Sequence, residues 1–269
     1  MQVAALQMVS GTGLQANLAS ARSLLAQAAD AGAELAVLPE YFCLMGRRDS
    51  DKLAHREHFG EGPVQSFLAG AAREFGLWIV GGTLPLVGDD EARVRNCSLV
   101  FSPTGACVAR YDKVHLFRFD NGAESYDEAR VIEPGAAPVG FDLQARDGRR
   151  WRIGLSVCYD LRFPELYRAL QAEVLLVPSA FTHVTGQAHW ELLLRARAVE
   201  NLAYVIAPAQ GGQHENGRRT WGHSMLVDPW GVVLAQRADD GAAVVGATLD
   251  AARLAQLRRQ LPALEHRRL

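Results

Sequence analysis

The chain has 269 residues, 49% hydrophobic and 22% charged, with a formal net charge of −2 at pH 7. Such a balance excludes a disordered chain, and the length suffices for a sizeable buried core. There is no basic footprint for nucleic acid and no apolar run of membrane-spanning length, so neither partner is expected. The first residues, Met1-Gln-Val-Ala-Ala-Leu-Gln7, lack the basic leader and long apolar stretch of a signal peptide and read as a strand. Four cysteines, Cys43, Cys97, Cys107 and Cys158, show neither metal-ligand spacing nor a disulfide framework. A reducing cytoplasm is the expected compartment.

In chain order, the pattern predicts a helix over Ala16–Ala31 and a short buried strand from Leu35 that closes at Pro39 and Glu40. A second helix, Val64–Phe75, leads to a strand over Leu77–Thr83. A strand, a tight turn at Ser102-Pro-Thr-Gly105 and the strand Cys107–Tyr111 follow, then Asp112 and Lys113. The apolar run Trp151–Val157 ends at Cys158, and Pro164 opens a helix over Glu165–Gln171. The segment Glu173–Phe181 then echoes Glu34–Phe42: each is a strand closed by Pro and followed by an aromatic. A helix over Ala188–Asn201, a strand over Ala203–Pro208 and a turn at Asp228-Pro-Trp-Gly231 complete the parallel. The tail, Asp250–Gln260, has Leu254 and Leu257 at helical spacing and a basic outer face.

This repeated order, β-α-β-α-β-β, argues for two mixed α/β sheets, each with helices on one face. Two such halves bury their bare faces against each other, giving a four-layer α-β-β-α sandwich. Neither half covers its own sheet, so residues 1–269 are expected to form a single domain.

Three polar residues fall just past strand-like segments: Glu40, Lys113 and Cys158. Ligands of α/β sheets gather outside the carboxyl ends of strands. Taken singly, a core cysteine and a solvated acid or lysine are the ordinary readings. Taken together they suit nucleophilic catalysis. A thiolate is the nucleophile and a nearby Lys lowers its pKa. A carboxylate takes the thiol proton and returns it to a leaving nitrogen. An ammonium, with the backbone N–H of Tyr159, stabilises an oxyanion.

The segments Leu38-Pro-Glu40-Tyr-Phe42, Tyr111-Asp-Lys113-Val-His115-Leu-Phe117 and Gly154-Leu-Ser-Val-Cys158-Tyr-Asp160 resemble the three signatures of the nitrilase superfamily of carbon–nitrogen hydrolases. The resemblance runs through nearly the whole chain. It implies the four-layer sandwich, a Glu40–Lys113–Cys158 triad, a second positioning glutamate that maps to Glu128, and no metal or organic cofactor. The stretch between Arg118 and Arg130 is otherwise a poor match. Members commonly form homodimers, so a dimer or higher homo-oligomer is expected.

Within the superfamily, Pro178-Ser-Ala-Phe181, Ala188-His-Trp-Glu191, Ala209–His214 and Gly222–Gly231 resemble the amidases that act on deaminated glutathione. The ω-amidases of 2-oxoglutaramate remain the alternative, and nitrile hydrolysis or a non-catalytic scaffold stands further off. The expected substrate is thus a small 2-oxo acid amide. Tyr41, Phe42, Arg162, Ala180, Phe181 and Thr182 are the expected binding residues, with Arg162 equally readable as an anchor of the helix start beside Glu165. Charged or amide groups at Arg47, Arg48, His183, Gln213 and His214 are further candidates for gripping carboxylates.

Overall fold

The computed structural model describes residues 1–268; Leu269, the last residue of the expected single unit, lies outside them. A seven-stranded sheet runs in the order Ala243–Thr248, Gln2–Gln7, Leu35–Val37, Trp78–Val80, Val94–Phe101, Leu84–Val87, with Cys107–Asp112 also paired to Val94–Phe101. A six-stranded sheet runs Val233–Gln236, Met225–Val227, Tyr204–Ala207, Val174–Leu176, Arg150–Leu155, Val139–Gln144. In each sheet the central strands are parallel: Val3 faces Leu35 and Leu35 faces Trp78, as Ile153 faces Val174 and Val174 faces Tyr204. The flanking pairs are antiparallel.

Side-chain alternation explains the layering. Val3, Ala5, Leu35, Val37 and Val80 enter a core shared with Ile153, Leu155, Val174 and Leu176 of the other sheet. Their neighbours Ala4, Leu6, Ala36, Leu38 and Ile79 turn the opposite way, onto Leu18 and Leu25 of helix Leu14–Asp30 and Leu68 and Ala72 of helix Pro63–Phe75. On the second sheet, Leu166 and Leu170 of helix Pro164–Leu170 and Trp190 and Leu194 of helix His183–Asn201 join the same core. Each buried aliphatic side chain contributes roughly 1.5–3 kcal/mol relative to exposure. The result is the α-β-β-α sandwich.

Several elements depart from the sequence pattern. The strand expected over Leu77–Thr83 ends at Val80, because Gly82 adopts φ 47°, where a Cβ would come within 2.0 Å of the Pro39 carbonyl oxygen. Helix His183–Asn201 starts five residues before Ala188, since the Thr182 hydroxyl caps it by accepting from the Thr185 N–H. Val139–Gln144 and Ala243–Thr248 were not anticipated. The latter pairs with Gln2–Gln7, Thr248 against Gln2, so a strand from the end of the chain completes the sheet of its beginning. Both predicted turns form, with Gly105 at φ 78° and Gly231 at φ 84°.

Candidate active site

Glu40 leaves the first sheet at the carboxyl end of Leu35–Val37, and its side chain is 1% exposed. Oε1 accepts from Asn96 Nδ2 at 3.0 Å and Lys113 Nζ at 2.9 Å; Oε2 accepts from the Ala180 N–H at 3.0 Å. Its backbone carbonyl accepts from Gln210 Nε2 at 3.1 Å. Ala180 and Gln210 belong to the second half of the chain, so Glu40 sits at the seam between the sheets.

Lys113 follows the strand Cys107–Asp112 and is completely buried. Its N–H donates to Asn96 O at 3.0 Å, and its carbonyl accepts from the Gly135 N–H at 2.8 Å. The approach at Gly135 admits no side chain, since a Cβ there would lie 2.0 Å from Asp112 O. Nζ donates to both oxygens of Glu128, at 2.9 and 2.8 Å, besides Glu40. Glu128 is held in turn by the Tyr41 hydroxyl at 2.7 Å and the Phe117 N–H at 2.7 Å. The structure therefore brings Glu128 into the Glu40–Lys113 cluster from the poorly matching 118–130 stretch. That stretch folds as a ribbon, Arg118–Asp120 against Ser125–Asp127, ahead of a 3₁₀ turn beginning at Glu128.

One ammonium between two carboxylates fixes the electrostatics. Burial alone would lower the Lys113 pKa, but Glu128 and Glu40 outweigh it and hold the ammonium above its ordinary range. Burial also acts to raise Glu128, yet Lys113 and the Phe117 and Tyr41 donors leave its carboxyl below the usual value. Glu40 goes the other way: burial, with the neighbouring Glu128 charge, lifts it above the usual carboxylate range despite Lys113.

Cys158 opens the 3₁₀ turn Cys158–Arg162 that follows strand Arg150–Leu155, in the left-handed region at φ 49°. A non-glycine residue there is strained and is held by its surroundings. Its N–H donates to Pro178 O at 3.0 Å, and its thiol lies within the electrostatic reach of the Glu40 carboxyl and the Lys113 ammonium. Lys113 does act to lower the thiol pKa, as expected from the sequence. Burial and the charges of Glu40 and Glu128 prevail, however, and the thiol lies well above its ordinary value. The surroundings thus favour the thiol over the thiolate in the resting site.

Behind this turn, Asp160 is fully buried and accepts four hydrogen bonds. Oδ2 receives the Tyr111 hydroxyl at 2.7 Å and the Val157 N–H at 2.8 Å. Oδ1 receives the His115 N–H at 3.0 Å and lies 2.7 Å from His115 Nδ1. One carboxylate thus ties the Lys113 segment to the Cys158 turn. Asp160, Tyr111 and His115 stand inside the motif segments, but their types gave no sign of this bracket. Asn96 carried no local signal at all, and Gln210, inside the Ala209–His214 segment, was expected near substrate and instead supports the Glu40 backbone.

A narrow cleft over Cys158, open to solvent, is lined by Phe117, Tyr159, Arg162, Ala180, Phe181, Thr182 and Thr185. Arg162 leans over the rings of Tyr159 at 5.8 Å and Phe181 at 5.7 Å, and has no ion pair with Glu165, which is exposed. Tyr41, also left-handed at φ 58°, sends its hydroxyl to Glu128 rather than into this cleft. Phe42 is fully buried on the helix side of the first sheet, away from the cleft. His214 is buried between Ser10 O and the Thr220 hydroxyl, so it grips protein groups. Among the described residues no group of three or more His, Cys, Asp or Glu side chains is arranged to hold a metal ion, and no helix is long and apolar enough to cross a membrane.

A thiol, an acid acceptor and an ammonium at the seam of such a sandwich define a site suited to nucleophilic acyl transfer. The chain belongs to the carbon–nitrogen hydrolase family, whose model matches residues 2–259. It is 39% identical to the deaminated glutathione amidase of Yersinia enterocolitica, over 99% of this chain and 92% of that one. The NitFhit protein of C. elegans superposes with a TM-score of 0.88 at 35% identity, over 99% of this chain and 65% of that chain; this chain thus spans just under two thirds of it. A variant of the amidase from Nesterenkonia sp. AN1, showing Michael addition of acrylamide at its active site cysteine, matches with a TM-score of 0.78 at 28% identity, over 97% of this chain and 98% of that one.

Proposed function

We propose that the whole chain is one catalytic unit that hydrolyses the amide of a small 2-oxo acid, deaminated glutathione first of all, through a thioester on Cys158. The observation that carries this reading is the buried Glu40 carboxyl joined to the Lys113 ammonium at 2.9 Å, both acting on the thiol of Cys158 at the floor of the cleft. Glu40 takes the thiol proton as sulfur attacks the carbonyl carbon. The Lys113 ammonium and the Tyr159 N–H, at the open start of the 3₁₀ turn, receive the oxyanion. Collapse breaks the C–N bond, and Glu40 passes its proton to the leaving nitrogen. Glu40 then deprotonates water, which attacks the thioester, and the departing thiolate regains a proton. A base raised above the ordinary carboxylate range is better matched to a neutral thiol. Glu128 keeps Lys113 oriented and charged throughout.

In the cleft, Arg162 is the cation available to a carboxylate on the acyl side, with Ala180, Phe181 and Thr182 as its walls. The named Yersinia relative and the adduct-forming cysteine of the Nesterenkonia amidase support substrate and nucleophile respectively. Four free cysteines suit a reducing cytoplasm, and the exposed Leu192, Val199, Trp230 and Val232 suit a homodimer face. Side-by-side kinetics on deaminated glutathione, 2-oxoglutaramate and a simple aliphatic nitrile test the reading. The expected order of kcat/KM is the order given. Preference for 2-oxoglutaramate would make the chain an ω-amidase, and inactivity on both amides would sink the substrate assignment.

A further inference from the structure

A second concavity, of about 640 Å³, lies beside the cleft and carries an unusual charge. Arg47, Arg48, Lys52 and Arg218 line it, against one carboxylate, Asp49. Lys52 is buried, pairs with Asp49 at 3.2 Å and sits 4.8 Å over the Tyr41 ring. Arg47, Arg48 and Arg218 form no ion pair among the described residues, and the Arg218 guanidinium lies over the Tyr126 ring at 5.0 Å. The two rims are tied together: Asn216 Nδ2 donates to Gly46 O at 2.7 Å, and its Oδ1 accepts from the Arg218 N–H at 3.0 Å. The concavity is therefore built, and although Asp49 and Glu215 lie within the electrostatic reach of Arg218 and Arg47, no carboxylate among the described residues closes onto these guanidinium groups in a direct pair.

Its position relates it to the chemistry. Tyr41, Met45 and Ala180 pack together as a wall, with Ala180 facing the Cys158 cleft and Tyr41 and Met45 facing the basic lobe. Tyr41 directly follows Glu40, the group that hands a proton to the leaving nitrogen in the mechanism above. The basic lobe thus adjoins the Glu40–Lys113 cluster through Tyr41, whose ring lines the lobe and whose hydroxyl reaches Glu128 at 2.7 Å.

We propose that this basic lobe binds a carboxylate on the leaving-amine side of the scissile amide, with Arg218 and Lys52 as its specificity-determining contacts. The inference rests on the amidase reading above and narrows it to substrates acidic at both ends, of which deaminated glutathione is one: its 2-oxo acid carboxylate and its glycine carboxylate flank the amide. 2-Oxoglutaramate, which releases ammonia, leaves the lobe empty.

The test compares deaminated glutathione with its glycinamide, in which only the distal carboxylate is neutralised, and with 2-oxoglutaramate. In the unaltered protein the acid is expected to exceed the glycinamide in kcat/KM by at least about tenfold, chiefly through KM, as a charge-assisted contact requires. Arg218→Gln should compress that ratio toward one and lower the ratio of deaminated glutathione to 2-oxoglutaramate by a similar factor. Equal use of acid and glycinamide by the unaltered protein overturns the proposal, and so does an unchanged ratio in Arg218→Gln. Should that variant fail to fold, the unaltered protein's ratio still decides whether the carboxylate is recognised, and Arg48→Gln on the exposed rim tests the lobe. No turnover of deaminated glutathione by the unaltered protein is a separate result: it removes the amidase reading and this inference with it.

Discussion

The two halves of the chain end equivalent strands in nearly the same way and then part. Leu38 and Val177 each precede a proline, and each donates its N–H to the next strand, to Val80 O at 3.0 Å and Ile206 O at 2.9 Å. One residue beyond each proline, the first half has Glu40 and the second has Ser179. Glu40 extends to an ammonium and a side-chain amide, whereas the Ser179 hydroxyl donates back to Val177 O at 3.0 Å. The next N–H along, that of Ala180, donates to Glu40. A repeated scaffold therefore supplies two equivalent positions. One carries charge, and the other lends it backbone support.

The comparison breaks if the charged half proves dispensable. Cys158→Ala should lower kcat by at least about 10⁴-fold, and Lys113→Ala or Glu40→Gln by about 10³-fold or more. These last two separate on stability. Lys113→Ala leaves two buried carboxylates facing each other without their cation, a loss of about 3–5 kcal/mol. Glu40→Gln removes a charge that burial disfavours, as its raised pKa records, so melting should stay level or rise by about 2–3 °C at pH 7. Calorimetry of both variants beside steady-state rates checks this; equal destabilisation would undo the assignment of Glu40 as the unfavourably charged partner.

A smaller effect concerns pH. As the proposed base Glu40 must be ionised, and burial together with Glu128 raises its pKa, so the acid limb of kcat/KM should lie above the ordinary carboxylate value of 4.5. Glu128→Gln takes away one raising influence, and the limb should move to lower pH. Profiles for both proteins measure the shift, and movement to higher pH would contradict the charge arrangement. Glu128 itself, held below its ordinary value, contributes stability above the unfolded carboxyl pKa that is lost as pH falls through its folded one. The smallest effect belongs to the silent copy. Ser179→Ala should cost about 0.5–1.5 kcal/mol by denaturant titration and leave kcat within about threefold, since its hydroxyl serves only its own turn. A loss approaching that of Glu40→Gln would mean the two positions are not so different.

Much of this was legible in the sequence because strand-end chemistry is local. Glu40, Lys113 and Cys158 each follow a short apolar run, and the structure brings them into one cluster with Glu128. What was not legible depends on distant partners or on backbone direction. Ala243–Thr248 reads as a strand only beside Gln2–Gln7, at the far end of the chain. Phe42 was expected beside substrate because it follows Glu40 and Tyr41. The left-handed turn at Tyr41 redirects the chain, and Phe42 enters the helix-side core. The charge outcome at Cys158 was also hidden, since one lysine suggests activation until burial and then the charges of Glu40 and Glu128 are counted.

Asp160 adds a consequence of another kind. Its carboxylate is satisfied by Tyr111 and His115 from one half and by Val157 from the other, so it is fully bonded only when both are docked. The Lys113 segment and the Cys158 turn therefore reach this bonded arrangement only when the two halves are docked. A chain still emerging from the ribosome, or one opened at the seam by heat, carries an ordinary cysteine far from its acid. Damage of that sort yields an idle protein instead of a loosened hydrolase free to attack other amides in the cell.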